Sequence, residues 1–145
     1  MAKGIIKPKE RFEFLISSDL SNLYFYIVDN NVGLIVSTMI VDRYGEYSRY
    51  KHLCNGKKIA KIVRIETARR YVGCGLASRL LKQALEYLDQ SRYNVYLLVS
   101  PQPRDEDKLR SVSDLKMFYE KFGFVKTFEL LPTMFRKATL PTLGV

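Results

Sequence analysis

The sequence predicts a mixed α/β domain on a mostly antiparallel sheet. Three observations predict it. The first half carries aromatic and β-branched runs separated by turn signals. The second half holds a long helical stripe lying between two strand patterns. A helix that joins two strands implies a parallel pair within an otherwise antiparallel sheet. At 145 residues and 47% hydrophobic, the chain can bury a core without disulfides or metal. No repeat, low-complexity tract or linker divides it, so residues 1–145 are read as one domain.

Residues 1–10 are basic, contain Pro8, and read as a loose arm. "LYFYIVD" (23–29) is aromatic and β-branched, hence a strand. Asn30-Asn31 turns the chain into "VGLIVSTMIV" (32–41), a second strand. "DRYGEYSRYKHLCNG" (42–56) is polar and tyrosine-rich, and Asn55-Gly56 is a hairpin signal because both residues tolerate positive φ. "KKIAKIVRIET" (57–67) returns as a strand, completing an antiparallel meander.

From Leu76 the apolar positions are Leu76, Ala77, Leu80, Leu81, Ala84, Leu85 and Leu88, the stripe of an amphipathic helix. "YNVYLLVS" (93–100) is a strand, and "PQPRDEDKLR" (101–110) a charged loop. "SDLKMFYEKFGF" is a short helix with Leu115, Phe118 and Phe122 on its apolar side. Gly123 terminates it, and Ser111 with Asp114 resembles a capping box. "FVKTFELLPTMFRK" (124–137) is a final strand pair or one bent strand.

Lysine and arginine number 24 against 15 aspartates and glutamates, a net charge of +9. That balance favours anionic partners: phosphorylated cofactors, nucleic acid or acidic protein surfaces. Cys54 and Cys74 make neither a zinc spacing nor a disulfide framework, so no metal is expected. No apolar run approaches the roughly 20 residues of a membrane span, and "MAKGIIKPKERFEF" lacks a signal-peptide core. No membrane association and a cytoplasmic location are expected.

The segment "RRYVGCGLA" follows a strand and opens a helix. Gly73 and Gly75 permit tight backbone angles and remove side chains that would block approach. Free N–H groups there would point outward at the positive end of the helix dipole, with Arg69 and Arg70 adding charge. Such a nest suits a diphosphate. The bland reading is a strand-to-helix turn that merely uses glycine. It is neither a P-loop, lacking Gly-Lys-Ser/Thr, nor a dinucleotide fingerprint, lacking the third glycine.

Two motifs occur in order: Arg70-Tyr71-Val72-Gly73-Cys74-Gly75, then Phe118-Tyr119-Glu120-Lys121-Phe122-Gly123-Phe124 one helix and one strand later. Together they resemble the GNAT superfamily of acetyl-CoA-dependent N-acetyltransferases, whose first motif, Arg/Gln-x-x-Gly-x-Gly/Ala, follows the fourth strand. The resemblance covers residues 57–128. It implies a GNAT-like fold with one splayed parallel strand pair and helices on both faces of the sheet. It also implies acetyl-CoA as cosubstrate and direct attack of a primary amine on the thioester. The strand before the loop would offer main-chain groups at Ile65, Glu66 and Thr67 to the pantetheine arm. Arg70 and the N–H groups of Tyr71, Val72, Gly73, Cys74, Gly75 and Leu76 would hold the diphosphate.

An aliphatic amine is only about one part in 10³ neutral at pH 7, so a base must take its proton, and the departing thiolate benefits from an acid. Tyr119 matches the tyrosine commonly assigned as that acid; the bland alternative is an amphipathic tyrosine at a helix edge. Glu66, the only acid on its strand, is the candidate base. Asp42, Glu46 and a water chain to a carbonyl remain alternatives. Many relatives carry an asparagine at the start of the second motif's helix, where this chain has Ser111-Val112-Ser113, so Ser113 is the candidate substitute. The family's two helices after the first strand do not fit before Leu23. The acceptor pocket is therefore abbreviated, or completed by residues 44–54 or by a second subunit in a homodimer.

Other features have bland readings. Cys74 is a small residue in a tight turn, although a thiol at a helix N-terminus can be acidified. His52 reads as a surface residue, "YGEYSRYKH" as an exposed hairpin rather than a nucleic-acid platform, and "RDEDK" as a solvated loop. The acceptor is an amine-bearing small molecule or protein of unknown identity. The competing readings are a non-catalytic coenzyme-A- or partner-binding module and a nucleic-acid-binding module on the same fold.

Overall fold

The computed structural model describes residues 10–43, 58–99, 112–127 and 133–139. Among these described residues, seven strands and two α-helices follow one another: β1 (Phe12–Ser18), β2 (Asn22–Asp29), β3 (Leu34–Asp42), β4 (Ile59–Thr67), α1 (Leu76–Gln90), β5 (Asn94–Leu98), α2 (Val112–Glu120), β6 (Val125–Lys126) and β7 (Thr133–Arg136). They form one sheet of order β1-β2-β3-β4-β5-β7-β6. Only β4 and β5 run parallel, joined by α1; the other neighbours are antiparallel. The expected mixed fold with one parallel pair is what the chain adopts. The arm at 1–9, Glu46, His52, Cys54, the Asn55-Gly56 turn, the loop at 101–110 and Ser111 lie outside the described residues.

The sheet's pleat explains the core. Leu23, Phe25 and Ile27 alternate on β2 and are buried, while the intervening tyrosines are half-exposed. Cross-strand partners continue the row onto Met39 and Val41 of β3, and Ala60, Ile62, Val95 and Leu97 extend it across the parallel pair. The stripe of α1 closes over it, with Leu80, Leu81, Ala84 and Leu88 fully buried. Each such leucine contributes about 1.5–3 kcal/mol. Ala77, at the stripe's margin, is half-buried. Leu115, Phe118, Tyr119 and Phe122 around α2 pack against the same cluster. Both described helices contribute to this cluster, and a small second group of buried residues, Ile59, Tyr96 and Phe135, lies apart from it.

β1 is a strand that the sequence pattern did not reveal. It pairs with β2 from Phe12–Asp29 to Ser18–Leu23, and it makes β4 the fourth strand, as the resemblance requires. A short turn joins β1 to β2: Asp19 Oδ1 accepts the N–H groups of Ser21 and Asn22 at 2.9 and 2.7 Å. No helix intervenes there. The described residues of the 124–137 segment form a strand pair, β6 and β7.

Candidate active site

The site begins where the parallel pair comes apart. β5 follows β4 for four rows, from Ile59–Asn94 to Ile62–Leu97. β4 then continues to Thr67 along β3 alone. A bulge marks the parting: Val41 faces Ile62 and Ile40 faces Arg64, so Val63 is the extra residue. Beyond it, main-chain direction is fixed by alternation. The Glu66 carbonyl accepts Ser37 Oγ at 3.1 Å and the Ala68 N–H reaches the Val36 carbonyl at 2.7 Å, so both face β3. The main-chain groups of Ile65 and Thr67 therefore face the opposite side, into the fork. A groove of about 770 Å³ occupies it, floored by β4, Leu97 and Leu98 and walled by Leu115, Phe118 and Tyr119.

The glycine loop lies at one end of that groove. After β4 a single 3₁₀ turn spans Arg69–Tyr71. Gly73 and Gly75 have φ of 87° and 78°, the left-handed region where a Cβ is penalised. The Tyr71 and Val72 N–H groups close turns on Ala68 and Arg69, and the Cys74 N–H closes on the Tyr71 carbonyl at 3.3 Å. Among the described residues, the N–H groups of Gly73, Gly75, Leu76, Ala77 and Ser78 find no acceptor. They collect at the positive end of α1, and Tyr71, Val72, Gly73, Gly75, Leu76, Ala77 and Ser78 all border the groove.

The loop is anchored from below. Tyr71 donates its hydroxyl proton to Asp29 Oδ2 at 2.6 Å, and its ring meets Phe12 edge-on, centroids 6.2 Å apart. Asp29 ends the buried row of β2 and is itself fully buried. It also accepts the Asn31 N–H at 3.0 Å and two longer contacts from the Arg11 guanidinium at 3.3 and 3.4 Å. The Tyr71 hydrogen bond, seconded by Arg11 and the Asn31 amide against the cost of burial, holds the Asp29 carboxyl below its usual range. The same bond raises the Tyr71 phenol.

Tyr119 stands on the last turn of α2, half-buried, its ring 5.3 Å from Phe118 and 5.7 Å from Phe124. Its carbonyl accepts the N–H groups of Phe122 and Phe124, which close the helix end where Gly123 turns the chain at φ 92°. Glu66, on β4, also borders the groove, with Oε2 3.7 Å from Arg64 Nη1.

The fold thus brings Ile65, Glu66, Thr67, Tyr71, Val72, Gly73, Gly75, Leu76 and Tyr119 to a single groove. Arg70, Cys74 and Ser113 are exposed and do not line it. Sequence reasoning missed Ala77 and Ser78, which continue the N–H array, and Leu115 and Phe118, assigned to the core alone. It also missed Asp29, which reads locally as the polar end of a strand. Among the described residues no group of three histidine, cysteine, aspartate or glutamate side chains could hold a metal ion, and no helix is long and apolar enough to cross a membrane.

The site thus combines a forked parallel pair, an amide nest at a helix start and a tyrosine on a neighbouring helix. The model of the acetyltransferase (GNAT) domain matches residues 21–126, and the chain belongs to that family. A sequence comparison with curated proteins yields no match. Among solved structures, the ribosomal-protein-S18-alanine N-acetyltransferase from Escherichia coli superposes with a TM-score of 0.60 at 14% identity, over 88% of this chain and 76% of that one. PH1933 from Pyrococcus horikoshii OT3 gives 0.57 at 21% identity, over 81% of this chain and 66% of its own length. The KacTA–DNA complex gives 0.58 at 10% identity, over 83% and 70%. At these identities the likeness is one of fold.

Proposed function

We propose that the protein transfers an acetyl group from acetyl-CoA to a primary amine. The observation that carries this reading is the groove itself, with free main-chain amides at one end and Tyr119 and Glu66 along its walls. The pantetheine arm lies in the fork against the main chain of Ile65 and Thr67. The diphosphate takes the N–H groups of Gly73 and Gly75 to Ser78, with Arg70 contributing charge from the rim. Acetyl-CoA supplies the activated carbonyl. Glu66 takes the proton of the incoming amine, and Tyr119 gives a proton to the departing sulfur. In this reading Cys74 keeps the glycine turn closed through its N–H, and Ser113 offers its hydroxyl to the cofactor.

The test is a free-thiol release assay with acetyl-CoA against a panel of amines, beside calorimetry with coenzyme A alone. Thiol release that depends on one amine class supports the reading; no heat at millimolar coenzyme A overturns it. A second reading, a nucleic-acid-binding module, is favoured by the net charge of +9 and by a neighbour whose structure is a complex with DNA. Binding to oligonucleotides that falls steeply with salt, in a protein that ignores coenzyme A, would select it.

A further inference from the structure

We infer that Asp29 is a positioning residue for the amide nest, acting through the Tyr71 hydroxyl. Tyr71 is the pivot of the loop. Its carbonyl closes the turn that contains Gly73, through the Cys74 N–H at 3.3 Å. Its own N–H closes the preceding 3₁₀ turn on Ala68 at 2.8 Å. Moving Tyr71 therefore moves every amide that follows. The main-chain bonds of Val72 and Cys74 are both long, 3.3 Å, and resist such movement weakly. The hydroxyl bond to Asp29 is short, at 2.6 Å, and spans 42 positions of sequence.

Asp29 can serve as an anchor because it is buried and held from several sides. Its side chain is fully buried, and its two oxygens are held by the Asn31 N–H and the Arg11 guanidinium. Its carbonyl accepts the N–H groups of Val32 and Gly33. A charge-assisted bond from Tyr71 to such a carboxylate is among the stronger kinds available. The consequence for binding is entropic: a nest already shaped for a diphosphate need not be ordered when the ligand arrives. The affinity part of this inference rests on the coenzyme-A reading above; the geometric part does not.

The test compares Tyr71→Phe and Asp29→Asn with Arg136→Lys, which disturbs a clamp whose residues do not line the groove. Each variant is assayed for coenzyme A affinity, for KM and kcat with acetyl-CoA, and for hydrogen exchange of the Val72 and Cys74 amides without ligand. Tyr71→Phe keeps the ring on Phe12 and is expected to weaken coenzyme A by about tenfold. KM should rise with kcat within twofold, and both amides should exchange faster. The double variant should lose little beyond either single one. Arg136→Lys should leave KM and loop exchange unchanged. Unchanged exchange and KM in Tyr71→Phe, or equal changes in Arg136→Lys, would overturn the inference. If the parent protein ignores coenzyme A, the proposed function fails, and the exchange comparison alone still decides for or against the anchor.

Discussion

Arg136 grips Asp89 through two charge-assisted hydrogen bonds of 2.6 and 2.8 Å, joining β7 to the last turn of α1. The same guanidinium donates from Nε to the Phe122 carbonyl at 2.7 Å, just before Gly123 of the second motif. One side chain thus ties together the C-terminal strand, the crossover helix and the segment after the tyrosine helix. Both partners are nearly buried, with side-chain exposures of 11% and 13%. Breaking such a pair strands a charge. Arg136→Ala is expected to cost about 3–5 kcal/mol in urea denaturation, and Arg136→Lys less, because a single ammonium cannot reproduce the fork.

Tyr119→Phe removes one oxygen and keeps the ring against Phe118 and Phe124. If the hydroxyl is the acid, turnover falls at least about tenfold while coenzyme A binds as before. Steady-state kinetics beside calorimetry reads both, and undiminished turnover would take Tyr119 out of the mechanism.

At Gly75 nothing lies within 4 Å of an added Cβ, so the cost of Gly75→Ala comes from φ of +78° alone. That cost is about 1–2 kcal/mol, measurable as a shift in denaturation midpoint. Gly73→Asp carries the same backbone penalty and adds negative charge where anions are expected. Coenzyme A binding should vanish in it while the protein still folds; intact binding would count against the nest.

The pH dependence follows from the carboxylates that donors hold in the fold. Asp29 is depressed chiefly by Tyr71, and Asp19 chiefly by the Tyr24 hydroxyl, then by the amides of Asn22 and Ser21. A folded-state value below the unfolded one gives stability that is present above about pH 4 and lost as pH falls through the folded value. Tyr71 and Tyr24 are raised by the same bonds, so their share is full below about pH 10 and lost above it. Thermal melts from pH 7 to pH 2 should fall less steeply in Asp29→Asn than in the parent.

Leu80 of α1 is fully buried between helix and sheet, and Leu80→Ala is expected to cost about 2–5 kcal/mol. The stripe that predicts this was legible because a 3.6-residue period needs only neighbouring residues to show itself. The nest was legible in part: glycines between a strand and a helix carry their geometry locally, but the amides of Tyr71, Val72 and Cys74, expected to be free, close turns instead. β1 was not legible. After Phe12 and Phe14 its alternation dissolves into Leu15 and Ile16, which are 41% and 40% exposed on an edge strand. Nor could the Asp29 anchor be read, because its burial is satisfied by a hydroxyl far along the chain.

The four rows that join β4 to β5 are also the seam between two halves of the sheet, three antiparallel neighbours on one side and two on the other. A guest lodged in the fork would rivet that seam shut. Mass action then ties the molecule's endurance to how much of the guest is present, and its melting temperature should climb with guest concentration.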